Sequence, residues 1–477
     1  MTSSTAQFFV DGQFRTADAA ETVVEAATGE PLGEGAVVSE SDIDAAVAAA
    51  RRALPDWRNS SPEHRAGILN VMADALKARA KATSELVTRE NGMPIRLSRG
   101  ANGAFPALLL RYYAQLVTEV PVEEVRPSVT GHTIVRREAV GVVGAIVPWN
   151  YPQALAAMKV APALAAGCTV VLKASPETAL DALVFAEAAA EAGLPPGVLN
   201  VVSGGPAVGA ALVSHPGVDK VAFTGSTATG RLVAETCGRL MRPVTLELGG
   251  KSAAIILDDA DLDATMRGLR NASFVNNGQT CHLCSRILAP KSRYDEVVDA
   301  VAALAESMAV GDPLDPGTEI GPMVSSRQRE RVLGYIDVGK NSGARLVAGG
   351  SIPKEQPRGW FVAPTVFADV DNSDRLAREE VFGPVLTISA YDSDDEAVEL
   401  ANDTEFGLAG TVWSADVDRA TTVARAVHTG TIGVNDYALD VRAPFGGVKA
   451  SGMGRELGPE GLEAYRTLKS IYRTGPA

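Results

Sequence analysis

In SESDIDAAVAAARRAL, residues 39–54, apolar positions recur at helical spacing behind Ser and Asp capping candidates, and EHRAGILNVMADALKARAKATSELV repeats the pattern. Two early helices are expected. From Val140 the pattern changes: VGVVGAIVP is a short apolar run closed by Pro148, as a strand buried on both faces requires. A helix-period segment, QALAAMKVAPALAAG, follows it. CTVVLKAS, VLNVVSGG and KVAFTGS then read as strands, separated by TALDALVFAEAAAEAG and AVGAALVSHP as helices. This alternation predicts a parallel sheet with helices on both faces, an open α/β fold that binds nucleotides at its strand ends. A second series with the same rhythm starts after VTLELGGKSAAIIL and includes VVDAVAALAESMAVG, placing a second α/β domain from about Leu248 to about Arg442.

The chain has 477 residues, room for two or three domains and a large buried site. Lys and Arg number 44 against 58 Asp and Glu, a net charge of -14, and no Lys/Arg run builds a basic face, which argues against nucleic acid and anionic membrane as partners. The start, MTSSTAQFFVDGQF, lacks a signal-peptide pattern, and Lys159 and Pro162 break the longest apolar stretches. No transmembrane helix is expected. Four cysteines do not make a disulfide framework, so a reducing cytoplasm is the expected setting.

Among candidate motifs, no GxGxxG is present, and GGKS at Gly249–Ser252 is no P-loop because residue 245 is Thr. FTGSTATG, Phe223–Gly230, places a strand-to-helix turn where backbone N–H groups and small hydroxyls are free to meet a phosphate, although an ordinary tight turn reads the same way. Cys281 and Cys284 in NNGQTCHLCSR form a CxxC with no second ligand pair at zinc spacing, leaving a nucleophile or a redox pair. LELGG puts Glu247 inside an apolar run, the environment of a raised-pKa general base, unless the strand lies at an edge. In PWNYP, two prolines hold Asn150 at the end of a buried strand, as an oxyanion donor or a turn residue requires.

PWNYP, LKASPET, FTGSTATG, LELGGKS, NNGQTC, EEVFGPV and PFGGVKASGMGRELG occur in one order, and together they resemble the aldehyde dehydrogenase superfamily from about Phe8 to GLEAYRTLKSIYR. The resemblance implies a Rossmann-like cofactor domain at 1–121 and 140–247, a catalytic α/β domain at 248–445, and a small β oligomerisation arm from 122–139 and 460–477. It makes Cys281 the nucleophile and Cys284 a tolerant packing residue. Asn150 and the Cys281 backbone N–H would hold the oxyanion, Glu247 would activate water to hydrolyse the thioester, and Lys159 and Glu456 would form a supporting polar pair for proton movement.

The resemblance also maps a nicotinamide cofactor: Lys173 toward the adenosine ribose, Gly225 and Ser226 at the diphosphate with Trp149 beside it, Glu380 at the nicotinamide ribose, Phe382 against its ring, Leu248 and Gly249 close by. Pro176 stands where many NAD-preferring relatives carry the Glu that repels a 2′-phosphate, so NAD is expected with NADP also possible. Tyr151, Leu155, Met158, Thr280, His282, Tyr437, Leu439 and Phe445 would line a mostly apolar substrate pocket suited to a hydrophobic aliphatic or aromatic aldehyde. Arg442 would instead favour a semialdehyde carboxylate. A CoA-acylating relative has no use for Glu247; a non-catalytic binding protein, or a metal or redox module on Cys281, His282 and Cys284, are the other readings. No metal is expected, and the arm implies a homodimer or homotetramer.

Overall fold

A computed structural model of the chain describes residues 6–475. Met1–Thr5, part of the N-terminal stretch read above, and residues 476 and 477, the end of the expected arm segment, lie outside the described residues. The expected architecture is present: two α/β sheets and a small β arm.

The first sheet has eight strands in the order Gly452–Met453, Val244–Glu247, Lys220–Thr224, Val142–Ile146, Thr169–Ala174, Leu199–Ser203, Gln7–Val10 and Gln13–Thr16. From Val244–Glu247 to Leu199–Ser203 the pairing is parallel. The strands Val142–Ile146, Thr169–Ala174, Lys220–Thr224 and Leu199–Ser203 are buried throughout, which is why each reads as a mostly apolar run without polar alternation. The chain builds outward from Val142–Ile146 in one direction, then returns to add Lys220–Thr224 on its other side. That reversal opens a crevice at the carboxyl ends of these two strands, the usual ligand position in such sheets. FFVDGQF forms the edge hairpin, with Asp11 at φ 58° and Gly12 at φ 76° making the two-residue turn.

The second sheet has seven strands in the order Arg345–Ala348, Thr365–Ala368, Val385–Tyr391, Arg286–Pro290, Ala253–Ile256, Gly410–Trp413 and Gly433–Val434. VTLELGGKSAAIIL therefore divides between the sheets: Val244–Glu247 ends in the first and Ala253–Ile256 starts the second. The strands Glu123–Ser128, Gly131–Ala139 and Arg466–Thr474 form the separate antiparallel arm, with Val125, Leu468 and Tyr472 exposed.

The helix read from TALDALVFAEAAAEAG begins later than its sequence pattern, at Leu183–Glu191, behind the single turn Pro176–Thr178. Its first residues spend their backbone on tertiary bonds. The Leu180 N–H donates to the Glu90 carboxylate at 2.9 Å, and the Gln153 amide donates to the Asp181 carbonyl at 2.7 Å and carboxylate at 2.8 Å.

Candidate active site

The carboxyl ends of the first sheet's strands face the loops that enter the second sheet's strands, and the motif residues meet there. Val142–Ile146 delivers Trp149 and Asn150; Lys220–Thr224 delivers Gly225 and Ser226; Val244–Glu247 ends on Glu247. From the opposite side, Cys281 precedes Arg286–Pro290, while Glu380 and Phe382 precede Val385–Tyr391.

The loop carrying Cys281 has an unusual backbone. Asn276, Asn277 and Gly278 are consecutively left-handed, at φ 55°, 60° and 77°, which asparagine and glycine tolerate best. A Cβ at Gly278 would lie 2.0 Å from the Gly383 carbonyl carbon, so no side chain fits. Amide side chains hold the loop. Asn276 donates to the Asn150 carbonyl at 3.0 Å and the Gln279 carbonyl at 3.2 Å; Asn277 donates to the carbonyls of Gly92 and Pro322, both at 2.9 Å. Asn91 secures the other wall, donating to the carbonyls of Trp149 at 3.0 Å and Asn150 at 3.3 Å. The sequence reading missed Asn91, Asn276, Asn277 and Gln279, although NNGQ, with successive asparagines before a glycine, carried a signal for left-handed backbone.

The Asn150 side chain is buried and donates one N–H to the Gln279 carbonyl at 3.1 Å, fixing the amide two residues before Cys281. Cys281 is half-buried, and its thiol is pushed up to about 12, first by burial, then by the nearby charges of Glu380 and Glu247. Glu247 is 3% exposed on a strand flanked on both sides, so the edge-strand reading fails. Neither of its oxygens has a hydrogen-bond partner among the described residues. Burial, then the Glu456 charge, holds its carboxyl well above the usual range, with Lys159 opposing. Lys159 donates to the Glu456 carboxylate and the Thr224 hydroxyl, both at 2.6 Å, in a fully buried pair.

The cofactor candidates converge on the crevice. Lys173 is 7% exposed with no ion-pair partner among the described residues, and burial draws its amine down to about 8. Ser226 caps the helix Thr227–Arg239, whose N-terminus suits a phosphate. A Cβ at Gly249 would strike the Glu380 carboxylate at 2.5 Å, and one at Gly225 would strike the Phe223 ring at 2.5 Å, so backbone alone fits at both positions. Leu248 is buried against Gly230 on that helix. Glu380 accepts from the Gly250 N–H at 3.0 Å and is raised by burial to about 7. Trp149 meets Phe382 edge to face at 5.5 Å, closing one wall of the crevice. Pro176 begins its short turn next to Glu177, whose carboxylate is engaged by the Ser175 hydroxyl at 2.5 Å and Arg327 at 3.0 Å.

On the far side of Cys281, Tyr151, Leu155, Met158 and Phe445 join one apolar cluster with the cysteine. The Tyr151 hydroxyl pairs with Thr280 at 2.9 Å. His282 stacks on Tyr437 at 4.8 Å and meets Phe445 edge-on at 6.4 Å; burial lowers its imidazole to about 4, leaving it neutral. Tyr437, Leu439 and Phe445 also line a cavity of about 240 Å3 that opens outward. Arg442 is exposed on the loop beside it. Cys284 is absent from this wall: it is buried in the second sheet's core and accepts a hydrogen bond from Thr411 at 3.6 Å. Among the described residues no three His, Cys, Asp or Glu side chains are grouped as a metal site needs, and no helix is long and apolar enough to cross a membrane.

Residues 14–471 match the Aldehyde dehydrogenase family. The chain belongs to that family. A geranial dehydrogenase from Castellaniella defragrans is 56% identical to this aldehyde dehydrogenase over the full length of both chains. The structure of a Mycobacterium tuberculosis aldehyde dehydrogenase complexed with NAD+ superposes with a TM-score of 0.96 at 45% identity, covering 99% of each chain. A cysteine-to-alanine mutant of aldehyde dehydrogenase C from Pseudomonas syringae, complexed with NAD+ and octanal, gives 0.95 at 39% identity, covering 99% of this chain and 97% of that one.

The protonated thiol of this aldehyde dehydrogenase has a measurable consequence. With Cys168, Cys237 and Cys284 buried, iodoacetamide should modify Cys281 alone in the cofactor-free enzyme. Because the thiolate is the nucleophile and its pKa lies near 12, the alkylation rate should rise about tenfold per pH unit from 7 to 10. Mass-spectrometric kinetics that level off near pH 8 would show that the thiol is not held protonated by its surroundings.

Proposed function

We propose that this aldehyde dehydrogenase oxidises an uncharged hydrophobic aldehyde to the carboxylic acid with NAD+, through a covalent adduct on Cys281. The observation that carries this reading is the convergence of a half-buried thiol, a fixed amide and an unpartnered buried carboxylate beside a neutral aromatic wall. The Cys281 thiol loses its proton to solvent, and the thiolate attacks the aldehyde carbon. The free N–H of Asn150 and the Cys281 backbone N–H meet the oxygen as it gains charge. Bound NAD+ supplies the acceptor for the hydride that the tetrahedral thiohemiacetal releases. Glu247 then takes a proton from the water that attacks the thioester, freeing the acid and releasing Cys281 as a thiolate that takes a proton back from solvent. Lys159 and Glu456, hydrogen-bonded to each other behind Glu247, carry that proton away.

The cofactor would be held by Lys173, Gly225, Ser226 and Glu380, with Leu248, Gly249, Trp149 and Phe382 lining its path and Pro176 near its adenosine end. With Glu177 tied to Ser175 and Arg327, its carboxylate is a weakened barrier to a 2′-phosphate, so NADP serves as a poorer substitute. The neutral His282 and the apolar Leu155, Met158 and Phe445 suit aldehydes of the geranial or octanal kind, the compounds named for the relatives above, and Arg442 is too exposed to define a semialdehyde pocket. The division at 247/248 separates cofactor and catalytic domains, the arm joins copies into a homodimer or homotetramer, and the enzyme works in the cytoplasm.

The test is steady-state reduction of NAD+ and NADP+ with long aliphatic, aromatic and carboxylate-bearing aldehydes and no added CoA. The expected order of kcat/KM is hydrophobic over semialdehyde by at least about tenfold, the order of discrimination an apolar pocket provides. A semialdehyde at the top of the panel would sink the hydrophobic reading, and a strict need for CoA would sink hydrolysis.

A further inference from the structure

Where the arm joins the body lies a cavity of about 660 Å3 that the reaction does not use. Its walls come from the end of the helix Glu40–Asn59, the start of the 30-residue helix Pro62–Asn91, and the arm strands Gly131–Ala139 and Arg466–Thr474. Six basic side chains line it: Arg58, Arg65, Arg136, Arg137, Arg466 and Lys469, against Glu138 as the one acid. Surface carboxylates neutralise part of this set. Glu123 pairs with Arg136 at 2.5 Å and Glu138 with Lys469 at 3.1 Å, while Glu463 is shared by Arg466 at 3.0 Å and Arg137 at 3.6 Å. Arg58 and Arg65 have no carboxylate within ion-pair distance among the described residues. On a chain of net charge -14, this is a positive pocket set against the overall sign.

Arg65 makes the case strongest. It is 5% exposed, and its Nε donates to the Ala165 carbonyl at 2.9 Å and another nitrogen to the Ser60 carbonyl. Carbonyls orient a guanidinium without neutralising it, and a buried unpaired charge is costly. The Arg466 side chain, also 5% exposed, lies near enough that burial first and this like charge second draw Arg65 down to about 10. The buried Nε of Arg137 makes no hydrogen bond among the described residues, meeting Glu463 only at 3.6 Å, while another of its nitrogens lies 3.9 Å from Glu124. The helix Pro62–Asn91 begins at the cavity behind Ser60 and Ser61, so its N-terminal partial positive charge adds to the same field.

We infer that this cavity binds a small polyanion of the polyphosphate class, with two or more phosphate groups, at the joint between arm and body. Guanidinium forks match phosphate oxygens, a single phosphate would leave most of the volume unfilled, and the fixed Arg65 and Arg466 need little reordering to receive the ligand.

Isothermal titration of the full-length enzyme with inorganic tripolyphosphate, and separately with ADP, tests this at constant ionic strength. Saturating NAD+ is present throughout, so that the cofactor crevice does not contribute. The expected result is one site per chain, weakened at least about tenfold by Arg58→Ala and further by Arg58→Ala with Lys469→Ala, while kcat/KM for aldehyde is unchanged. Tripolyphosphate binding without ADP binding would identify an inorganic polyphosphate ligand; tighter ADP binding would identify a nucleotide. Absence of heat for both probes, or equal affinity in the variants, overturns the proposal. It is also overturned if neither probe binds and the variants shift the size-exclusion elution volume, because the cavity would then be filled by carboxylates of a second copy.

Discussion

Cys281→Ala should abolish aldehyde-dependent reduction of NAD+, with a loss of at least about 10^4-fold in kcat, and should leave the fold intact. The size of the loss follows from the chemistry. An aldehyde carbon becomes a hydride donor only after a nucleophile has made it tetrahedral with charge on its oxygen, and no other side chain can do this in place of the sulfur. Asn150 offers only an amide, burial holds the Glu247 carboxyl protonated above the usual carboxylate range, and the His282 ring is stacked on Tyr437. Nucleophile knockouts in enzymes of this type leave only binding and oxyanion stabilisation. Folding should be spared because the loop is held by hydrogen bonds of Asn276, Asn277 and Gln279, and by Gly278 against Gly383, none of which uses the sulfur. The check is a pair of measurements on the variant: reduced-nicotinamide absorbance across the aldehyde panel, and thermal unfolding. Residual turnover above about one part in 10^3 with an unchanged melting temperature would move the nucleophile elsewhere.

The first sheet was legible because buried parallel strands carry apolar residues on both faces, so VVGAI, TVVLKA and KVAFT stand out between helix-period segments. The start of the helix Leu183–Glu191 was not legible, since what delays it is Glu90, whose carboxylate reaches the Leu180 backbone from a helix 90 positions earlier. The site divides in the same way. Cys281, Glu247 and Asn150 stood out as candidates in short motifs with alternatives left open, and the roles proposed for them came from the resemblance across the whole chain. The lattice that positions them did not stand out: the bond from Asn277 to the Gly92 carbonyl spans 185 positions, and that from Asn150 to the Gln279 carbonyl spans 129. Such bonds depend on two sheets meeting end to end, which no short window encodes. Likewise, Cys284 sits three residues from Cys281 yet belongs to a different environment, because the strand Arg286–Pro290 begins just beyond it and carries it into the core.

Glu247→Gln should separate the two halves of the reaction. The amide nearly matches the carboxylate in shape but cannot take a proton from water, so oxidation should proceed once per active site and hydrolysis should then slow by about 10^2- to 10^4-fold, the range for loss of a general base. Rapid mixing should therefore show a burst of one reduced nicotinamide per chain followed by a slow phase, and intact-mass spectrometry should find the acyl group on Cys281. The wild-type pH profile adds a second signature. Burial and the Glu456 charge raise the Glu247 pKa, so at a pH where an ordinary glutamate is ionised this one still holds its proton. Raising the pH removes that proton and creates the base, so hydrolysis should increase with pH through a midpoint above the usual carboxylate range. Glu456→Gln keeps an acceptor for the Lys159 amine while removing the repelling charge, which should lower the Glu247 pKa and move that midpoint to lower pH. A merely structural Glu456 would change the rate without moving the midpoint. A burst-free Glu247→Gln enzyme with normal steady-state turnover would mean that water is activated by another group, and Lys159, buried against Glu456 and Thr224, would be the next residue to test.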